Sequence, residues 1–216
     1  LRDVTTDEET FAEQYECTFV DSKSSYLPYE LLKTCYADIK TDLTGDSYIT
    51  IDVGRSNDRT AIVVFIKDTA GVFNVVEYEE LHKTGFSEQQ KVIGKYIGRF
   101  KPLKVLIDKG FNPQLYENLN AKYNGVYGVH MGNDTQLKCF TGLKKLFEDK
   151  RIRIPANEDI ITQLHSVRRE TEGGKVRFTA PRNARGHSDI AYSMALIGEI
   201  LQSKREPRAW LYRHAS

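Results

Sequence analysis

Two short apolar runs constrain this chain more than anything else in it. Tyr48-Ile49-Thr50-Ile51 and Val105-Leu106-Ile107 are rich in β-branched residues, and each ends in an acid, Asp52 and Asp108. Near-continuous apolar strands belong to a sheet covered on both faces. A carboxylate closing such a strand is costly to bury unless something pairs with it. Two of them suggest a shared partner, and a hard divalent ion that takes carboxylate oxygens is the most economical one.

The pattern around these runs predicts the architecture. Strands are expected over 49–52, 61–66 and 72–81, split by turn chemistry at 54–58 and 68–71. A helix over 87–100 follows, with Val92, Ile93, Tyr96 and Ile97 on one face, Ser87 as N-cap and Gln90 three residues on. Strand and helix then alternate: strands at 103–107 and 126–130, helices at 113–123 and 135–149, a short strand at 152–154 and a helical turn at 159–163. Glu172-Gly173-Gly174-Lys175 reads as a hairpin turn between strands at 164–169 and 176–178, and a last helix covers 188–202. The fold class is α/β: a mixed sheet, antiparallel meander first and parallel strands after, with helices on both faces. Residues 1–45 read as an arm packed on this body, with a short acidic helix at 7–15 and a second at 27–32 that carries Pro28 in its first turn. A chain that starts at Leu1 reads as a fragment or a processed form.

Composition narrows the function. The net charge of the 216 residues is only +1, so nucleic-acid binding would rest on a local patch and not a global field. The three cysteines, Cys17, Cys35 and Cys139, have no CxxC spacing; neither a zinc site nor a disulfide framework is indicated, and a reducing intracellular compartment is the default. No apolar stretch approaches the roughly 20 residues that span a bilayer, so no membrane partner is expected. No GxxxxGK[ST] is present, so the chain carries no P-loop of its own.

Two-metal phosphodiester hydrolysis needs carboxylates that converge from rigid elements on two ions about 3.5–4 Å apart. Asp52 suits the bridging role and Asp108 a flanking one. Asp189, in Gly186-His187-Ser188-Asp189 at the first turn of the last helix, is the third candidate, where the helix dipole favours an acid. Singly, each acid is more often a turn or helix cap than a metal ligand; the conjunction is what points to metal, either Mg²⁺ or Mn²⁺. Asp58 and His187 are accessory candidates. Basic residues gather later, at Lys144, Lys145, Lys150, Arg151, Arg153, Arg168, Arg169, Lys175, Arg177, Arg182 and Arg185. Phosphate binding would need such a stripe near the acids, and Arg182 and Arg185 lie nearest Asp189 in sequence.

In this order the motifs resemble the nuclease domain of the large terminase subunit of tailed phages, an RNase H-like fold. The residues that carry the resemblance are Ile51-Asp52-Val53-Gly54-Arg55-Ser56-Asn57-Asp58-Arg59-Thr60-Ala61, then Leu106-Ile107-Asp108-Lys109-Gly110, then His187-Ser188-Asp189-Ile190-Ala191. Lys138, Arg151-Ile152-Arg153-Ile154-Pro155 and the lead-in Phe11-Ala12-Glu13-Gln14-Tyr15-Glu16-Cys17-Thr18-Phe19 are similar to further parts of that family. The chain departs from it at Gly110-Phe111-Asn112-Pro113, where further small residues are usual, and at Lys109, which directly follows a proposed ligand and could touch a phosphate.

The resemblance implies a metal-dependent endonuclease that cuts concatemeric double-stranded viral DNA with little sequence preference. Asp52, Asp108 and Asp189 would hold two Mg²⁺ or Mn²⁺ ions, and Arg182, Arg185, Lys138, Arg168 and Arg169 would be the DNA contacts. It also implies an ATPase motor before residue 1, joined through residues 1–45 to a nuclease domain at 46–216. A small terminase subunit, a portal protein and action in the host cytoplasm during virus assembly follow in the same way. Competing readings are a resolvase- or transposase-like nuclease of the same fold, a kinase-like phosphotransferase with a similar Asp-x-Gly turn, and a non-catalytic docking module of the motor.

Overall fold

The computed structural model describes residues 25–38, 43–54, 59–180 and 188–202. The expected helix at 7–15, Asp58, Arg182, Arg185 and His187 lie outside the described residues. The element order is α1 (Tyr29–Lys33), β1 (Asp46–Asp52), β2 (Thr60–Lys67), β3 (Phe73–Leu81), α2 (Phe86–Phe100), β4 (Lys104–Asp108), α3 (Pro113–Lys122), β5 (Val126–Val129), α4 (Asn133–Glu148), β6 (Ile152–Arg153), α5 (Glu158–Ser166), β7 (Arg168–Glu172), β8 (Lys175–Thr179), α6 (Asp189–Ala195) and α7 (Ile197–Gln202).

Six strands form one sheet in the order β5-β4-β1-β2-β3-β6. β1, β2 and β3 pair antiparallel; β4 and β5 add in parallel beside β1, and β6 in parallel beside β3. Strand alternation sorts the side chains. Ile49, Ile51, Ile62, Val64, Val105 and Ile107 pack with Ile93, Ile97, Leu115 and Leu119 of α2 and α3 on one face. Tyr48, Ala61, Val63 and Phe65 pack with Phe140, Phe147, Ile190 and Met194 of α4 and α6 on the other. Both faces are covered, as the apolar runs require. Part of the arm belongs to the second core: Leu27, Leu32 and Cys35 are buried in it, and Tyr36 bridges to Ile154.

Several elements differ from the sequence reading. The turn expected at 159–163 is the nine-residue helix Glu158–Ser166, and it takes Leu164 from the expected strand. Ile160, Ile161 and Leu164 are all buried on one helical stripe, and Asn157 caps the start by accepting from the Asp159 N–H at 2.9 Å. Helix α2 starts at Phe86 behind Gly85, so Ser87 lies inside it; the Gln89 side chain, donating to the Thr84 carbonyl at 2.8 Å, closes the first turn instead. The last helix is two segments, α6 and α7, that meet at Leu196. Where α4 crosses α7, a Cβ on Gly198 would stand 2.3 Å from the Cys139 carbonyl oxygen, and one on Gly142 2.7 Å from the Gly198 Cα. Only glycine permits that approach. The hairpin turn is as expected, though its first strand is Arg168–Glu172 and not 164–169: Glu172 pairs with Lys175 around Gly173 and Gly174, whose φ values of +56° and +77° fit a tight two-residue turn.

Candidate active site

The β1–β4 pairing runs from Tyr48↔Lys104 to Ile51↔Ile107, so the next residues, Asp52 and Asp108, close adjacent parallel strands at the same sheet edge. Alternation puts both on the face that carries α6, opposite Ile51 and Ile107. On that face Ser193 of α6 donates to the Thr50 carbonyl at 2.9 Å, and the Thr50 and Ser193 hydroxyls lie 3.1 Å apart. Thr50 and Asp52 share a strand face, and Asp189 lies one helical turn before Ser193. The same contact that docks α6 on β1 therefore turns Asp189 toward Asp52.

The electrostatics report this convergence. Burial, then the charge of Asp189, then that of Asp108 hold the Asp52 carboxyl well above the usual carboxylate range. Burial also raises the Asp108 carboxyl, against the N–H groups of Gly110 and Met131 and the nearby His130, which pull it down. Asp108 Oδ1 accepts the Gly110 N–H at 2.9 Å, and a Cβ at 110 would stand only 3.1 Å from that oxygen, which favours glycine there. The turn after Asp52 is closed by Thr60, whose hydroxyl accepts the Gly54 N–H at 3.0 Å. Among the described residues no three His, Cys, Asp or Glu side chains form a ready-made metal cage. The three acids share a sheet edge and a face, but are not drawn together around one point.

The other candidates scatter. Lys109 lies on the opposite face from Asp108, its ammonium 5.6 Å from the Tyr116 ring centre and its stem across Gly128. Arg168 folds back to donate to the His165 carbonyl at 2.6 Å, while Arg169 is exposed on β7. Lys138 is exposed on α4, beside the buried Cys139 thiol, which burial, Glu199 and Asp108 push up to about 12. Within the basic stripe, Lys145 pairs with Asp149 at 3.1 Å and Arg177 with Glu172 at 3.4 Å.

Three residues that sequence reasoning passed over also stand at this site. His130 follows β5, the strand beside β4, at the same edge as the acids. Tyr192 donates its hydroxyl to the Phe178 carbonyl at 2.7 Å, tying the hairpin to α6; burial, Asp52 and Asp189 push its phenol up to about 12. Gln163 accepts the Ile190 N–H at 2.8 Å and donates to Glu80 at 3.1 Å. The strand order, once known, would have pointed to His130; the other two make contacts between elements distant in sequence and leave no local pattern.

A mixed sheet with one antiparallel strand among parallel neighbours, flanked by helices and ending its central strands in acids, defines an RNase H-like domain. The chain belongs to the terminase RNaseH-like domain family, whose model matches residues 49–197. Solved structures of similar fold include the large terminase nuclease from thermophilic phage G20c, with TM-score 0.65 and 20% identity over 78% of this chain and 95% of that one. The same nuclease with bound magnesium matches with TM-score 0.63 and 21% identity over 75% of this chain and 84% of that one. The HK97 bacteriophage large terminase matches with TM-score 0.64 and 16% identity over 89% of this chain and 49% of that one, so this chain spans about half its length. A search of curated proteins found no match. Among the described residues no helix is long and apolar enough to cross a membrane.

Proposed function

We propose that this domain is a divalent-metal-dependent DNA endonuclease of a phage packaging terminase, cutting concatemeric double-stranded DNA with little sequence preference. The observation that carries the reading is the arrangement of Asp52, Asp108 and Asp189 on one sheet face at one edge. The donor set fits the cation: carboxylate oxygens with no thiolate among them suit Mg²⁺ or Mn²⁺. Asp52, Asp108 and Asp189 would hold the ions. When bound, such ions polarise the scissile phosphate and lower the pKa of the attacking water.

The chain's own residues set the geometry. Gly110 and Met131 hold Asp108 through backbone N–H groups, and the Thr50–Ser193 contact holds the helix of Asp189. A cation held there would offset the repulsion that Asp189 and Asp108 exert on Asp52. His130, exposed beside Asp108, is placed to meet a phosphate or a leaving group at the rim. Arg182, Arg185, Lys138, Arg168 and Arg169 are the candidate phosphate contacts, and Asp58 and His187 the accessory candidates. Residues 1–45 connect a motor domain to the nuclease at 46–216, and a small terminase subunit and a portal protein complete the assembly in the host cytoplasm. The large terminase of another thermophilic bacteriophage, also similar in fold, is known in complex with ADP, which supports a nucleotide-using motor in such chains.

The test uses supercoiled plasmid. Nicking should require Mn²⁺ or Mg²⁺, stop with EDTA, and fall on the order of 10³-fold or more in Asp52→Ala, since each ion supplies several kcal/mol. Metal-dependent nicking that persists in Asp52→Ala contradicts the assignment.

A further inference from the structure

Glu80 reaches toward both sides of the acid cluster. It lies one residue before the end of β3, at the sheet edge where β1 and β4 also end. Its Oε2 accepts from the Arg59 guanidinium at 2.9 Å, and its Oε1 accepts from Nε2 of Gln163 at 3.1 Å. The other end of that amide, Oε1 of Gln163, accepts the backbone N–H of Ile190 at 2.8 Å. Arg59 stands just before β2, on the far side of the turn that follows Asp52. Ile190 follows Asp189 directly. One carboxylate therefore ties the return of the Asp52 turn to the first turn of the Asp189 helix.

The chemistry of each partner suits this task. Glutamine has a donor at one end and an acceptor at the other, and here each faces its complement. A glutamate at 163 would set two carboxylates 3.1 Å apart. An apolar residue would remove the bonds to both the Ile190 N–H and the Glu80 carboxylate. Glu80 and Arg59 keep only 17% and 26% of their side-chain surface exposed, so their ion pair is shielded enough to hold a fixed geometry. A second tie runs parallel to the first: the Ser166 and Ser188 hydroxyls lie 2.6 Å apart, joining the end of α5 to the residue before Asp189.

We propose that the Glu80–Gln163 pair is a positioning device that sets the separation of Asp52 from Asp189, a role that rests on reading these acids as metal ligands. Gln163 acts through the backbone N–H of Ile190, the residue after Asp189. Metal affinity depends on how well ligands are held at their spacing, and groups that orient ligands are typically worth about 10- to 100-fold in affinity or activity.

The experiment is a calorimetric titration of Mn²⁺, together with plasmid nicking, on wild type, Gln163→Leu, Gln163→Glu and Glu80→Gln/Gln163→Glu. Gln163→Leu should weaken Mn²⁺ binding by about 10- to 100-fold and lower kcat, with KM for DNA unchanged. A residue that served stability alone would lower the melting temperature and leave the Mn²⁺ Kd where it was. The swap keeps the outcome readable if Gln163→Leu does not fold. Gln163→Glu faces Glu80 with like charge, and Glu80→Gln/Gln163→Glu restores a donor opposite an acceptor. The double variant should bind Mn²⁺ at least about fivefold more tightly than Gln163→Glu, as expected for residues in direct contact. A Kd within about twofold of wild type in Gln163→Leu, or no gain in the double variant, overturns the positioning role while leaving the metal reading intact. Wild-type protein that takes up no Mn²⁺ overturns both.

Discussion

At Asp52 three unfavourable influences add: burial, the charge of Asp189 and the charge of Asp108. The sign of the consequence follows from linkage. A carboxyl whose folded value is raised makes the folded state hold its proton longer than the unfolded chain does. Stability is then fullest below the unfolded value near 3.8, and falls as the pH rises from there through the folded value. Above that window the metal-free fold carries the whole penalty. Asp52→Asn should therefore raise the melting temperature in EDTA at neutral pH and converge with wild type in acid, which thermal scans across pH will show; a lower melting temperature for Asp52→Asn at neutral pH would mean the acids do not repel. The acids themselves were legible in the sequence, because a charged residue closing an apolar strand stands out. Their supports were not: Gln163 is an ordinary polar residue on an amphipathic helix, and its role exists only where α5 meets α6. Lys109 shows the opposite limit, since adjacency to Asp108 in sequence puts its side chain on the other face of the sheet.

Among the elements, α5 and the α6–α7 pair decide where Asp189 stands. The turn chemistry of Gly173 and Gly174 was plain, but it drew the preceding residues into an expected strand; the helical stripe of Ile160, Ile161 and Leu164 prevails because it fills the core. The break between α6 and α7 was hidden, since Ala195, Leu196 and Ile197 are buried apolar residues with no helix breaker among them. Its anchor is the Gly142–Gly198 contact, so Gly198→Ala should destabilise the domain by about 1–3 kcal/mol through overpacking, measured by urea unfolding, whereas a neutral result would mean α7 can shift freely. On α5, burial holds the His165 imidazole below its ordinary value near 6.5, against the Leu27 carbonyl that favours its proton. A depressed value makes the folded state shed its proton first, so stability is full above about pH 6.5 and declines as the pH falls through the folded value. His165→Gln should flatten that decline; an unchanged acid limb in the melting profile would remove His165 as its source.

The whole molecule is a two-faced sheet whose central strands deliver acids to one edge, and one helix pair that brings a third acid to them. The fold class was readable because apolar runs and turn signals are local; the site was readable only as three points, because the face they share is fixed by register and docking. A cation that binds the folded state alone must stabilise it, by about 2.7 kcal/mol at a concentration 100 times its Kd. Mn²⁺ should therefore raise the melting temperature of wild type and fail to do so in Asp108→Asn, read by thermal shift; an equal rise in both would place the ion elsewhere. Whether Asp52, Asp108 and Asp189 together hold divalent metal is read most directly from the anomalous signal of a crystal soaked in Mn²⁺. Ions should appear among these three carboxylates, with Asp52 touching both if two are present; a saturating soak that puts no ion there would show that the three acids are not its ligands.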